Sequence, residues 1–210
     1  MKPRPVIYVL AGVNGAGKSS VGGHLLTRAG LAWFNPDAFA RELRAAAGGS
    51  VEKANGAAWR EGMRRLDAAL AGGSSYAFET TLGGGSVPAR LAQAARTHDV
   101  LMWFCGLATP ELHLARVQAR VAAGGHDIPE AKILERWQAS IANLIALLPQ
   151  LAEARLFDNS ASVAPGEPVP DPLPVVHFRQ GELVWPAADN LAQLRRTPDW
   201  AKPVLAAALR

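Results

Sequence analysis

Gly12-Val13-Asn14-Gly15-Ala16-Gly17-Lys18-Ser19 is the stretch whose reading decides the fold, because it fits the full pattern G-x-x-x-x-G-K-S/T. The run before it, Val6 to Ala11, is apolar and rich in β-branched residues. It follows Pro3 and Pro5 and stops at Gly12, so it reads as a buried central strand. The run after it, Ser19 to Arg28, reads as a helix. A strand, a glycine-rich turn and a helix in that order form a cradle for phosphates. Glycines let backbone N–H groups turn inward, and the helix N-terminus adds its partial positive charge. Lys18 is then expected at the β- and γ-phosphates and Ser19 on Mg²⁺. Gly12, Asn14, Gly15, Ala16, Gly17, Lys18, Ser19 and Ser20 form the candidate ATP site. A P-loop alone fits kinases, hydrolases and switches equally.

Outward from the loop, strand and helix patterns alternate. Leu31 to Phe34 reads as a second strand, Pro36 to Ala47 as a helix capped by Asn35, and about Glu52 to Ala71 as another helix. Tyr76 to Thr80 returns to strand character. Ser86 to Thr97 reads as a helix, with Ser86 as N-cap and Pro88 in its first turn, and Val100 to Leu107 as a strong strand. Helices are predicted over Pro110 to Ala123 and Pro129 to about Leu148, parted by Gly124 and Gly125, followed by a strand at Ala154 to Phe157. The alternation predicts an α/β fold of P-loop NTPase type, a parallel sheet with helices on both faces, nucleotide-kinase-like with a helical lid. After Asn159, the prolines at 165, 168, 170, 172 and 174 read as an extended linker. Val175 to Arg179 and Glu182 to Trp185 then read as a hairpin across Gln180 and Gly181, and Ala187 to Arg196 as a terminal helix. The expected organisation is a core over 1–160, with 161–210 as linker, hairpin and helix of the same domain.

Composition narrows the function classes. About half of the 210 residues are apolar, enough to bury a core. The one cysteine, Cys105, lies in the apolar run Leu101 to Leu107 and reads as core filling rather than as a nucleophile. No apolar run approaches the about 20 residues a membrane span needs, and Met1 to Pro5 leads into a strand rather than a signal peptide. A reducing, cytoplasmic setting is expected. The net charge of +4 is modest and its arginines are dispersed, which favours anionic small ligands over a nucleic-acid groove.

Polar residues at strand ends line the ligand crevice of such sheets. Asp37, shortly after the second predicted strand, has two readings: a base for a substrate hydroxyl, or a carboxylate favouring the helix N-terminus. Glu79, Thr80 and Thr81 close the third strand and have two readings: Glu79 on sugar hydroxyls or organising a metal, or a strand-end turn with solvated polar groups. His113, Arg116 and Arg120 recur at i, i+3, i+7, giving a basic face opposite Leu114, Val117 and Val121. Lys132 and Arg136 share a face away from Ile133, Trp137 and Ile141. These two helices read either as a lid closing over phosphates or as solvated charged faces.

The segments GVNGAGKSS, FNPD, FETTL, RVQARVAAGGHDIPEAKILERW and FDNS, in that order, resemble the zeta-toxin family of bacterial P-loop kinases over about residues 5 to 160. The resemblance implies a nucleotide-kinase-like fold, ATP and Mg²⁺ as cofactors, and phosphorylation of a sugar hydroxyl of UDP-N-acetylglucosamine or a related UDP-sugar. It implies Lys18 and Ser19 on the triphosphate and Mg²⁺, Asp37 as the base, Glu79 and Thr81 on the amino-sugar nucleotide, and Arg120 and Arg136 on the moving phosphoryl group. Asn35, Arg116 and His126 complete the candidate acceptor side, and Asp158 and Asn159 fall at the family's adenine-side loop. His126 stands where some members carry an arginine, and Pro36 where others have a non-proline residue. A protein antitoxin is a partner the resemblance implies. The alternatives are a kinase for another small hydroxyl substrate or a nucleic-acid 5′-hydroxyl, and a nucleotide-gated binding switch.

Overall fold

The computed structural model of the chain describes residues 3–19, 22, 26, 30–161 and 170–209. Six strands form one sheet: β1 Val6–Ala11, β2 Tyr76–Thr80, β3 Asp99–Gly106, β4 Glu153–Asp158, β5 Leu173–Arg179 and β6 Glu182–Trp185, in the order β2-β1-β3-β4-β5-β6. The first four in that order run parallel, and β5 and β6 extend the sheet antiparallel. Successive residues face opposite sides of a strand. Accordingly Ile7, Val9 and Ala11 join Phe78, Met102, Phe104 and Leu156 in the largest apolar cluster, while Leu10 packs with Ala16, Cys105 and Leu107 on the other face. Burial on both faces explains why β1 and β3 read as continuous apolar runs. The whole is a P-loop NTPase-like α/β fold flanked by helices.

Helical backbone begins at Lys18 and includes Ser19, Gly22 and Leu26; the rest of the helix predicted over Ser19 to Arg28, with the candidate Ser20, lies outside the described residues. Helix α1, Pro36–Ala47, starts where Asn35 Oδ1 accepts from the Ala38 N–H at 3.0 Å, with Pro36 in the first turn. Helix α2, Val51–Gly72, is capped by Ser50 and closed by Gly73 in the left-handed region. Helices α3 Ser86–Ala94, α4 Pro110–Ala122 and α5 Glu130–Leu147 follow, then α6 Leu191–Leu194 and α7 Lys202–Ala208. The Thr109 hydroxyl caps α4 through the Leu112 N–H. No helix among the described residues is long and apolar enough to cross a membrane.

Four sequence expectations need correction. Leu31 to Phe34 is not a strand: Phe34 makes one parallel bridge to Phe78. The Leu31 N–H is taken by the Leu26 carbonyl at 2.9 Å, and Pro36 turns the chain into α1 before a ladder can grow. Ser86 is the first helical residue rather than the cap, Gly85 caps without a side-chain bond, and the helix stops at Ala94. Beyond it the Thr97 and His98 N–H groups close on the Ala94 carbonyl, while Arg4 takes the carbonyls of Ala95 and His98. The helix expected over Ala187 to Arg196 shrinks to α6, because Asn190 caps it late through the Gln193 N–H and Pro198 follows closely. The tail instead carries α7, which the sequence reading did not include. The predicted linker prolines at 165 and 168 lie outside the described residues.

The hairpin is as expected. Gln180 and Gly181 both take positive φ, 51° and 79°, the geometry of a two-residue turn matched to strand twist.

Candidate active site

Strand β1 ends under the glycine loop, and close neighbours, one backbone and one side chain, restrict two of its glycines. A Cβ on Gly12, at φ 140°, would overlap the Cys105 carbonyl of β3, and one on Gly17, at φ 78°, would overlap the Asn159 amide. Asn159 Nδ2 also donates to the Ala16 carbonyl at 2.9 Å, so the turn after β4 holds the loop from beneath. Cys105 is fully buried, and burial pushes its thiol up to about 12, which keeps it protonated and inert.

Lys18 and Glu79 are each under a tenth exposed and face one another, Nζ to Oε1, at 3.5 Å. Buried opposite charges have to be paired and hydrogen-bonded, and both are. Lys18 Nζ also reaches the Val13 carbonyl at 3.5 Å. Ser19 Oγ donates to Glu79 Oε2 at 3.1 Å, and Asn35 Nδ2 donates to Glu79 Oε2 at 2.9 Å and to Ser19 Oγ at 3.1 Å. Asn35 therefore joins three elements: its amide nitrogen holds the end of β2 and the P-loop serine, and its oxygen starts α1, which carries Asp37. Ser19 Oγ and the Glu79 carboxylate are hard oxygen donors side by side, the chemistry Mg²⁺ takes when it keeps waters and shares phosphates. Among the described residues there is no group of three or more His, Cys, Asp or Glu that could hold a metal ion.

Beside this network opens a cavity of about 300 Å³. Its lining takes Asn14, Lys18, Glu79, Thr81 and Asp37 from the P-loop, the end of β2 and α1, and His126, Asp127, Lys132 and Arg136 from the lid segment. Helix α2 adds a wall of Asn55, Trp59, Gly62 and Met63. Of the residues singled out from sequence, Asn35, Asp37, Glu79, Thr81, His126, Lys18 and Arg136 therefore meet in one place. Arg116 and Arg120 do not line it. Arg116 Nη2 donates to the Ala161 carbonyl at 2.9 Å, beside the turn after β4, and Arg120 Nη2 reaches the His126 carbonyl at 3.4 Å.

The basic face expected on α4 is also different in kind. His113 is buried at 1 % exposure and Val117, one turn later, at 2 %, so they share the inner side rather than opposing each other. His113 Nδ1 meets the Asn14 carbonyl at 2.8 Å. Burial, with the charges of Lys18 and Arg116 nearby, lowers its pKa to about 4, so the ring is neutral and its Nδ1–H donates. Asn14 is gripped from the other side as well, its Oδ1 accepting from Arg136 Nη1 at 2.7 Å. Both lid helices thus touch one P-loop residue. The α2 wall, the His113 strut and a contact of Trp200 with Asp158 were absent from the sequence reading; only the α2 wall left a signal there, the helical spacing of residues 55, 59, 62 and 63.

Solved structures of similar fold include a chain of the AvrRxo1-ORF1:-ORF2 complex with ATP, 18% identical, TM-score 0.66, over 95% of this chain and 65% of that one. A chain of the PezAT chromosomal toxin-antitoxin system of Streptococcus pneumoniae is 15% identical, TM-score 0.54, over 75% of this chain and 68% of that one. A chain of the Pnkp1/Rnl/Hen1 RNA repair complex is 18% identical, TM-score 0.52, over 68% and 46%. At these identities the likeness is one of fold. This chain spans less than two thirds of the length of the AvrRxo1-ORF1:-ORF2 chains it matches. A search of curated proteins finds no match. The AAA domain model AAA_33 matches residues 7–144, from β1 through the P-loop to the lid helix α5, and the chain belongs to that family.

Proposed function

We propose that the chain is an ATP-dependent kinase that phosphorylates a sugar hydroxyl of a nucleotide sugar, with UDP-N-acetylglucosamine the acceptor to test first. The observation that carries this reading is the single cavity lined by both Lys18 of the P-loop and Asp37 of α1. A pure switch has no need of a carboxylate there, whereas a kinase needs a base beside the acceptor hydroxyl; a hydrolase, which could use the same carboxylate on water, is told apart by its acceptor-independent turnover. Asp37 accepts that proton as the hydroxyl oxygen attacks the γ-phosphorus and the ADP oxygen leaves. Lys18 neutralises the β- and γ-phosphates, and Arg136, leaving Asn14, reaches the transferring group. Ser19 Oγ and the Glu79 carboxylate would hold Mg²⁺, which when bound would supply charge neutralisation on the phosphoryl oxygens. Arg120 acts from beneath, fixing the His126 turn of the lid.

The acceptor side supports a ring-bearing substrate. Cations in the cavity lining, Lys18, Lys132 and Arg136, come from the P-loop and α5, while the α2 wall offers an amide, an indole and a thioether. An acceptor placing phosphates toward α5 and a neutral planar ring toward α2 matches that division. The sequence segments shared with zeta toxins and the fold likeness to a chain of a toxin-antitoxin system support the same reading, with a protein inhibitor as the corresponding partner.

The test is mass spectrometry of UDP-N-acetylglucosamine after incubation with protein, ATP and Mg²⁺. A mass gain of one phosphate is expected. Asp37→Asn is expected to slow transfer by about 10²- to 10⁴-fold while ATP binding stays near that of the parent. No gain on the UDP-sugar with ATP bound overturns the acceptor, and comparable activity in Asp37→Asn overturns the base. Acceptor-independent ATP hydrolysis, or transfer to an RNA 5′-hydroxyl, would move the chain to another class.

A further inference from the structure

The P-loop rests on the turn after β4, and that turn rests in part on a segment outside the matched family region. Asn159 supports the loop through Ala16 and Gly17, and its own N–H donates to the Gly106 carbonyl at 3.0 Å. The residue before it, Asp158, has both carboxylate oxygens in use: Oδ1 accepts from the Ser160 N–H at 2.9 Å and Oδ2 from Trp200 Nε1 at 2.7 Å. Ser160 Oγ in turn accepts from the Ala108 N–H at 2.7 Å. Trp200 is 5 % exposed, stacks on Phe104 at 5.8 Å between ring centroids, and lies so close over Gly106 that a Cβ there would fall 2.5 Å from the indole. It is set by Ala201, Val204 and Leu205, which seat the start of α7 in the main apolar cluster.

We propose that Trp200 is a positioning residue for nucleotide binding, acting through Asp158 and Asn159 on the Ala16–Gly17 peptide of the P-loop. The chemistry selects this residue type. A flat apolar body fills the space above Gly106, and an N–H donor meets a carboxylate that would otherwise lack one partner. With Oδ2 satisfied, the Asp158 turn has one arrangement, the Asn159 amide points at Ala16, and the loop's N–H groups are directed before ATP arrives. Without that bond the loop has to be ordered by the ligand, which weakens binding. The inference needs nucleotide binding only and does not depend on the acceptor.

Trp200→Phe tests it, since phenylalanine keeps an aromatic ring on Phe104 and removes the N–H. In calorimetric titration with Mg²⁺-ATP, Kd is expected to rise about five- to tenfold, a part of what one charge-assisted hydrogen bond contributes, because the loss reaches the loop only through Asp158 and Asn159. In a steady-state assay of ATP turnover, KM for ATP is expected to rise while kcat stays within about twofold, the pattern of lost ground-state positioning. In an Asn159→Ala background the further change from Trp200→Phe is expected to vanish, because both act along one path. Asp158→Ala, which leaves the buried ring untouched and removes the acceptor, should reproduce the rise in Kd and serves if Trp200→Phe does not fold. Parent-like Kd in a folded Trp200→Phe, or in Asp158→Ala, overturns the proposal. So does a Trp200→Phe effect of full size on the Asn159→Ala background. The titration uses no acceptor, so its failure is separate from failure of the kinase assay.

Discussion

At the residue scale, Asn14 and Glu79 show how the site is held without nucleotide. Glu79 gathers Lys18, Ser19 and Asn35, and Asn14 gathers His113 and Arg136. Each is a polar group whose partners come from separate elements, so losing one partner leaves a buried group exposed to a desolvation cost. His113 makes this measurable through pH. Its pKa falls from 6.5 in the unfolded chain to about 4 in the fold, with burial the main cause. The unfolded state therefore binds more protons between those values, and stability rises with pH across that window. The contribution is complete above pH 6.5 and lost as pH falls toward 4, and amounts to on the order of 2–3 kcal/mol. In His113→Asn, whose amide can still donate to the Asn14 carbonyl, denaturant melts between pH 6.5 and 4 should show a flatter slope than the parent. His177, also lowered by burial, keeps a part of the slope in both proteins. An unchanged slope would show that His113 is charged or solvated in the fold.

At the element scale, α2 is the part of the site with the least support in the sequence and the clearest consequence. Its buried side, Ala54, Ala58, Gly62 and Leu66, uses small residues to approach α1 and Phe34, where a Cβ on Gly62 would fall 3.0 Å from the ring. That close approach brings Trp59, half exposed, to the edge of the cavity together with Asn55 and Met63. For a ring-bearing acceptor, Trp59→Ala is expected to raise the acceptor KM about tenfold through the lost contact, with KM for ATP unchanged and Trp59→Phe retaining most of the affinity. Steady-state kinetics in both substrates checks it, and equal effects on the two would remove α2 from the acceptor side. Such a wall was illegible because periodicity marks which side of a helix is buried, not which cavity the neighbouring exposed side borders. The P-loop and the Asn35 cap were legible because their signals are local: fixed spacing, a side chain that caps its own helix, and a strand that stops at a glycine; Asp37 was singled out as following a strand that does not form, and by the resemblance of FNPD. His113 was misread for the opposite reason. Helical spacing placed it with two arginines, but its charge is set by the P-loop packed on it, which is a tertiary fact.

At the scale of the whole molecule, the tail is part of the sheet's energetics. Strand β5 pairs with β4 along its length, and Val175, Val176, Phe178, Trp200, Ala201, Val204 and Leu205 belong to the same apolar cluster as Ile7, Val9 and Phe104. Burying a large apolar side chain contributes about 1.5–3 kcal/mol, so Val176, Phe178, Trp200, Val204 and Leu205 together match the about 5–15 kcal/mol by which a typical domain is stable at all. Removal would also bare the β4 edge, a row of unpaired backbone groups beside exposed apolar surface. A chain cut after residue 161 is therefore expected to be unfolded or aggregated, although it retains the P-loop, Asp37, both lid helices and the entire region matched by the family model. Circular dichroism with a denaturant titration is the check: the full chain should give one cooperative transition and the truncated chain none. A cooperatively folded truncated chain that still binds ATP would mean that 161–210 is an independent addition and that the nucleotide loop needs no support from it.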